Sequence, residues 1–228
     1  MGPEPAGPGG FHGRRKGKRL RAGQEERLRD LLPGLAVALP LPADLGTLFA
    51  HSPTAIWLEI GFGGGEHLAA AARTHPGVGL IGVEPFVNGM AKMLAAVTEN
   101  CLCNVRLFDR DATELLEALP PASLDRAYLL FPDPWPKRRQ RKRRFVSDAT
   151  LARLARALKP DAEFRFATDI DDYAGWTLAR VLRSPDFAWD AQGSEAWRRP
   201  WAGWPGTRYE AKALREGRPP SYLTFRRV

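Results

Sequence analysis

One carboxylate in this chain is held under close conformational control. In FPDPW, residues 131–135, Asp133 lies between Pro132 and Pro134 with Trp135 behind it. Proline fixes its own φ and restricts the residue before it, so this acid has little freedom. A group fixed in advance suits the positioning of a reacting partner, because effective molarity comes from preset geometry. Directly downstream, seven of the eight residues from Lys137 to Arg144 are Lys or Arg. Arginine outnumbers lysine there, and its planar fork matches phosphate oxygens better than an ammonium does. This juxtaposition suits an acid that handles a base and cations that hold the backbone carrying it. If about five of them neutralise phosphates on a duplex, log K falls with log salt at a slope of roughly −4 to −5.

A second constellation lies upstream. EIGFGGGEHL, residues 59–68, carries Gly61, Gly63 and Gly65 in a G-x-G-x-G spacing. It is not the G-x-G-x-x-G that seats a pyrophosphate on a helix N-terminus. Glu59 stands two residues before the first glycine, where its charge repels a diphosphate and attracts a cation. Glu84 closes the next apolar run, 19 residues after Gly65, the place from which an acid accepts hydrogen bonds from ribose hydroxyls. Asp111 follows the third run and suits an adenine amino group. The ligand these acids fit carries an adenosine and a positive charge without a phosphate. S-adenosylmethionine meets that description; a nicotinamide dinucleotide does not.

The elements that must position these groups alternate. AIWLEIG, GLIGVEP, NVRLFDRD, LDRAYLLF and AEFRFATD read as strands. GEHLAAAART, VNGMAKMLAAVTEN, ATELLEAL, FVSDATLARLARALKP and IDDYAGWTLARVLRS follow them as helices, the fourth capped by Ser147 or Asp148. Five such alternations predict an α/β fold: a doubly wound, mostly parallel, Rossmann-like sheet with helices on both faces. Its strand C-termini, and any ligand, then share one edge. A Trp-rich, irregular tail precedes a last strand, SYLTFRRV.

The 228 residues suffice for one sizeable domain, assigned to 26–228 behind a basic, disordered arm at 1–25 that includes GRRKGKRLR. A short amphipathic helix, QEERLRDLLPGL, straddles that boundary. The net charge of +8 favours a polyanionic partner, nucleic acid before an anionic membrane surface. No apolar window reaches the roughly 18 residues of a membrane span, and MGPEPAGPGG lacks the apolar region of a secretory signal. Cys101 and Cys103, one residue apart, make neither a four-ligand zinc site nor a good disulfide and read as reduced thiols. His12, His51, His67 and His75 are scattered and read as structural or solvated. Trp197, Trp201 and Trp204 suit core packing before RNA stacking.

Taken together, LEIGFGGGEHL, IGVEPF, RDATELL, FPDPWPK…KRR, FATDIDDY and TRYEAKALREG make the chain, from about residue 14 onward, resemble the bacterial tRNA (guanine-N7-)-methyltransferases. The pairing of FPDPW with a downstream Thr-Arg-Tyr-Glu carries most of the specificity. The resemblance implies S-adenosylmethionine-dependent methylation of N7 of a variable-loop guanosine, position 46, in tRNA. It implies that Glu59, Glu84, Asp111 and Asp133 contact the donor beside the glycine turn, and that Asp133 is catalytic. Lys137, Asp169, Thr207, Arg208, Tyr209 and Glu210 match substrate positions. The run Arg139, Arg141, Lys142, Arg143 and Arg144 matches the RNA-contacting segment. A cytoplasmic monomer or homodimer follows, with no membrane, no obligatory protein partner and no metal, although Asp169, Asp171 and Asp172 cluster. ATDIDDY lacks an aromatic that many relatives carry after the Thr-Asp pair, and Ala213 stands where some have glycine. Two other readings compete. A nicotinamide dehydrogenase gives no use for FPDPW, and a non-catalytic RNA-binding module gives none for the donor acids.

Overall fold

The computed structural model describes residues 12–228. Among them, seven strands form one sheet: β1 (Ala55–Ile60), β2 (Val78–Val83), β3 (Val105–Phe108), β4 (Leu124–Leu130), β5 (Leu158–Thr168), β6 (Phe187–Ala188) and β7 (Ser221–Arg227). Their order is β3-β2-β1-β4-β5-β7-β6. The pairs β1–β2, β1–β4, β2–β3 and β4–β5 are parallel, while β7 runs antiparallel to β5 and β6. The predicted mostly parallel, doubly wound α/β sheet is therefore present, with its topological switch between β1 and β4.

Nine helices accompany the strands among the described residues: α1 (Ala22–Asp30), α2 (Leu32–Leu35), α3 (Glu66–Thr74), α4 (Val87–Glu99), α5 (Ala112–Ala118), α6 (Asp148–Ala157), α7 (Asp171–Val181), α8 (Glu195–Arg198) and α9 (Arg208–Arg215). Strand side chains alternate between faces, and the two faces make separate apolar layers. Leu58, Ile60, Ile81, Val83, Phe164 and Phe166 bury with α5, α6 and α7. Leu80, Val105 and Leu107 bury with Leu68 of α3 and Met90, Met93 and Leu94 of α4. Coverage on both faces is why the strands read as nearly continuous apolar runs.

Helix starts follow their caps. Asp111 Oδ1 accepts from the Thr113 amide at 2.9 Å and opens α5. Ser147, rather than Asp148, caps α6, accepting from the Thr150 amide at 3.2 Å. The tail holds more regular structure than its sequence suggested. It forms α8 and α9, and α9 begins with a capping box in which Thr207 Oγ1 accepts from the Glu210 amide at 3.1 Å.

The N-terminal arm differs from the expectation over part of its length. Residues 1–11 lie outside the described residues. Residues 15–18 instead run beside the start of α4: the Val87 amide donates to Arg15 O at 2.9 Å, the Gly17 amide to Asn88 Oδ1 at 2.8 Å, and Asn88 Nδ2 to Lys18 O at 2.8 Å. A boundary at residue 25 falls inside α1, and α1 and α2 pack back because Leu28 of α1 and Leu32 and Leu35 of α2 meet the α3–α4 layer. Among the described residues, no helix is long and apolar enough to cross a membrane.

Candidate active site

A cavity of about 400 Å³ opens at the C-terminal edge of the sheet, around the switch between β1 and β4. Gly61 and Gly63 line it from the turn after β1, Glu84 from the end of β2, Asp111 from beyond β3, and Asp133 and Trp135 from beyond β4. Four of the acids or turns expected from sequence thus converge from successive strand ends. Tyr209 of α9 and His12 and Arg14 of the arm complete the wall.

Glu84 is held by the backbone. Gly63 N donates to its Oε2 at 2.7 Å and Phe86 N to its Oε1 at 2.9 Å. Burial pushes its carboxyl above the usual range, and the two amides oppose that shift. Gly63 has φ +59°, and a side chain there would press against Tyr209 and Arg208 at 3.2 and 3.3 Å. Gly89 of α4 has to be small for a different reason: a Cβ on it would collide with Gly63 O. Gly65 heads α3 outside the cavity wall.

Asp133 sits at the rim, where solvent still reaches it. The protein on its cavity side nonetheless raises its pKa through desolvation. The loop around it is strained as well as proline-bound. Phe131 and Trp135 both adopt left-handed backbone, φ +49° and +42°, which costs a non-glycine residue of order 1–3 kcal/mol. Phe131 N donates to Ala167 O at 2.8 Å. Arg143 lies over the Trp135 ring at 4.9 Å from its centroid and also faces the cavity.

Other expected site residues lie elsewhere. Glu59 is buried, and its Oε2 meets His67 Nδ1 at 2.7 Å. That places Glu59 on the opposite face of β1 from Ile60, and it is absent from the cavity wall. His67 in turn lies tilted against Tyr128 and Trp204, with ring centroids 4.6 and 5.2 Å away. Lys137, Arg139 and Lys142 are exposed beside the cavity, around the 3-10 turn Arg138–Arg143. Arg141 pairs with Asp172 at 2.8 Å. Arg144 departs furthest from an RNA-contacting role: its side chain is fully buried. Asp169 pairs with Arg218 at 2.8 Å.

The Thr-Arg-Tyr-Glu motif divides by role. Thr207 and Glu210 cap α9, and Glu210 Oε2 also accepts from Trp204 Nε1 at 2.7 Å while its Oε1 accepts from Tyr222 OH. Arg208 approaches Glu66 at 3.6 Å, and Tyr209 covers Gly63. The spacing Thr-x-x-Glu is itself a capping-box signature, so that role was legible. Nothing in the sequence marks His12 as part of the cavity; burial and then Arg143 lower its pKa. Among the described residues, no group of three His, Cys, Asp or Glu side chains is arranged to hold a metal.

A doubly wound sheet of this order, with a glycine turn and acids at successive strand ends around one cavity, defines a class I S-adenosylmethionine-dependent methyltransferase. A family described as "Putative methyltransferase" matches residues 53–222. The 16S rRNA methyltransferase KamB shares the fold at 18% identity and TM-score 0.52, over 77% of this chain and 89% of that one. TrmN from Thermus thermophilus does so at 16% and TM-score 0.53, over 87% and 52%. A tRNA (guanine-N(7)-)-methyltransferase of Chelativorans sp. (strain BNC1) is 57% identical over 220 residues, 96% of this chain and 95% of that protein. One from Rhodopseudomonas palustris (strain BisA53) is 57% identical over 223 residues, 97% and 89% of the two chains. The chain belongs to the tRNA (guanine-N(7)-)-methyltransferase family.

Proposed function

We propose that this enzyme transfers the methyl group of S-adenosylmethionine to N7 of a guanosine in tRNA, at position 46 in the variable loop. The observation that carries the reading is the convergence of Glu84, Asp111 and Asp133 on one cavity that Arg143 also lines, with exposed cations near Arg143 in the chain. When bound, the donor supplies a methyl group made electrophilic by its sulfonium.

The residues present suit that nucleoside. Each Glu84 oxygen takes one backbone N–H, and a carboxylate oxygen has room for a second donor such as a ribose hydroxyl. Gly61 and Gly63 keep the wall thin where the ligand approaches the protein backbone. Asp111 lies at the adenine end, and Tyr209 roofs the turn. Glu59 acts on the donor site from behind, by fixing His67 and the start of α3.

Guanine N7 has an exposed lone pair and no proton to lose, so the reaction needs no general base. Asp133 orients the guanine through its N–H groups and offsets the positive charge that develops on the ring. Lys137, Arg139, Lys142 and Arg143 hold phosphates, with Arg141 and Arg208 beside them. Asp169, Thr207 and Glu210 shape the RNA-facing wall through the partners described above. RNA major grooves are narrow, so the guanosine is presented from a loop or splayed out. The enzyme works in the cytoplasm, where its substrate is made, as a monomer or homodimer with no obligatory protein partner.

The test is incubation of unmodified tRNA transcripts with labelled donor, followed by borohydride–aniline cleavage, which breaks the chain at N7-methylguanosine. Cleavage at position 46 is expected, and it disappears from a transcript with adenosine there. Label at another position or on another atom overturns the reading.

A further inference from the structure

Arg144 ends the basic run but does not share its surroundings. Its side chain is fully buried. Nε donates to Pro134 O at 2.8 Å, Nη1 to Asp172 O at 3.2 Å, and Nη2 to Asp172 Oδ2. Its guanidinium lies over two rings of α7, Tyr173 at 4.8 Å and Trp176 at 5.1 Å from their centroids. The next turn of chain is tied to the same helix: Trp176 Nε1 donates to Val146 O at 2.8 Å, and Val146 N to Tyr173 OH at 3.3 Å. One side chain therefore joins the start of α7 to the carbonyl next to Asp133. That loop has a left-handed residue at each end, and strained backbone persists only where its surroundings over-determine it.

We infer that Arg144 is a positioning residue: it grips no phosphate, and instead clamps the Pro134 carbonyl to Asp172 so that the Asp133 carboxylate stays at the cavity rim. The inference rests on the role given to Asp133 above. A planar fork is required, because Nε and Nη2 point to different elements at once; the single ammonium of lysine cannot reproduce that span.

The test compares Arg144→Gln, Arg144→Lys, Asp172→Ala and Asp133→Asn in the full chain. It uses single-turnover methyl transfer at saturating donor and tRNA, together with tRNA affinity across a salt series. Arg144→Gln should lower the saturated rate by about 10²-fold, the scale of a misplaced reacting group. Its tRNA affinity and salt slope should stay at the wild-type values. Arg144→Lys should remain slow, and Asp172→Ala should be slowed in the same direction but less. Three results overturn the inference: a normal saturated rate in Arg144→Gln, a salt slope reduced by about one as for a phosphate contact, or full rescue by lysine. Should Arg144→Gln not fold, the half-exposed Asp172→Ala decides alone, a full saturated rate counting against. If Asp133→Asn is slow while Arg144→Gln is fast, only this inference falls. A full rate in Asp133→Asn removes the reading beneath it.

Discussion

The Gly63 amide donates to Glu84 Oε2 at 2.7 Å, so the turn after β1 is fastened to the acid that ends β2. Two cavity walls from adjacent strands thus move as one. If Glu84 also receives ribose hydroxyls, Glu84→Gln loses a charged acceptor and leaves one of its two backbone donors facing an amide group. The loss expected is about 1–3 kcal/mol, on the order of 10- to 100-fold in S-adenosylhomocysteine affinity. Isothermal titration calorimetry measures it, and an unchanged dissociation constant would remove Glu84 from the donor site.

Gly89→Ala tests the same joint from the other side. The new methyl would collide with Gly63 O, a backbone atom that cannot swing away. Overpacking of this kind costs typically 1–3 kcal/mol, and here the displaced atom belongs to the donor turn. A lower melting temperature together with weaker S-adenosylhomocysteine binding is expected. Loss of stability with binding intact would mean the turn does not touch the ligand.

The two ends of the Thr-Arg-Tyr-Glu motif should differ from its middle. Thr207→Ala removes an N-cap, worth about 1 kcal/mol. Glu210→Ala strands Trp204 Nε1 and Tyr222 OH together, at about 1–3 kcal/mol for each buried donor left unmet. At roughly 2–4 °C per kcal/mol for a chain of this size, Glu210→Ala should melt visibly earlier than Thr207→Ala. Tyr209→Ala should leave the melting point nearly alone and weaken donor binding. Calorimetric scans with and without S-adenosylhomocysteine separate the three, and equal melting points for all of them would refute the division.

The pH dependence follows from burial. Desolvation raises the Asp133 carboxyl above the ordinary aspartate range, and Glu84 shifts the same way. Methyl transfer that needs ionised Asp133 should therefore rise with pH through a midpoint above that range, and Asp133→Asn should flatten the rise. For stability the sign is opposite. Carboxyls with raised folded pKa values stabilise the fold fully below their unfolded pKa, and that contribution is lost as pH climbs through the folded value. Donor, being cationic, should bind more tightly as both acids ionise. A rate profile flat down to the ordinary aspartate pKa would contradict the role.

The frame and the acids were legible because they obey short periods. Five apolar runs followed by amphipathic ones dictate a parallel sheet, and a parallel sheet brings Glu84, Asp111 and Asp133 to one edge. Glu59 was expected at the donor, and there the structure differs. Neighbours on a strand face opposite ways, so with Ile60 on the cavity side Glu59 turns toward α3 and His67. Arg144 was not legible. Within KRRQRKRR its chemistry equals that of its neighbours, and only the approach of Tyr173, Trp176 and Asp172, about 30 residues downstream, buries it. The arm was hidden for a similar reason: its composition is that of a solvated chain, and the backbone bonds to Val87 and Asn88 leave no mark in it.

The most direct measurement concerns one substituted carboxylate. With donor and unmodified tRNA both saturating, single-turnover methyl transfer by Asp133→Asn should fall about 10²–10³-fold, the scale of losing one group that stabilises developing charge, while the protein still melts cooperatively and still binds tRNA. Transfer at close to the unsubstituted rate would mean that the acid between the two prolines takes no part in the chemistry.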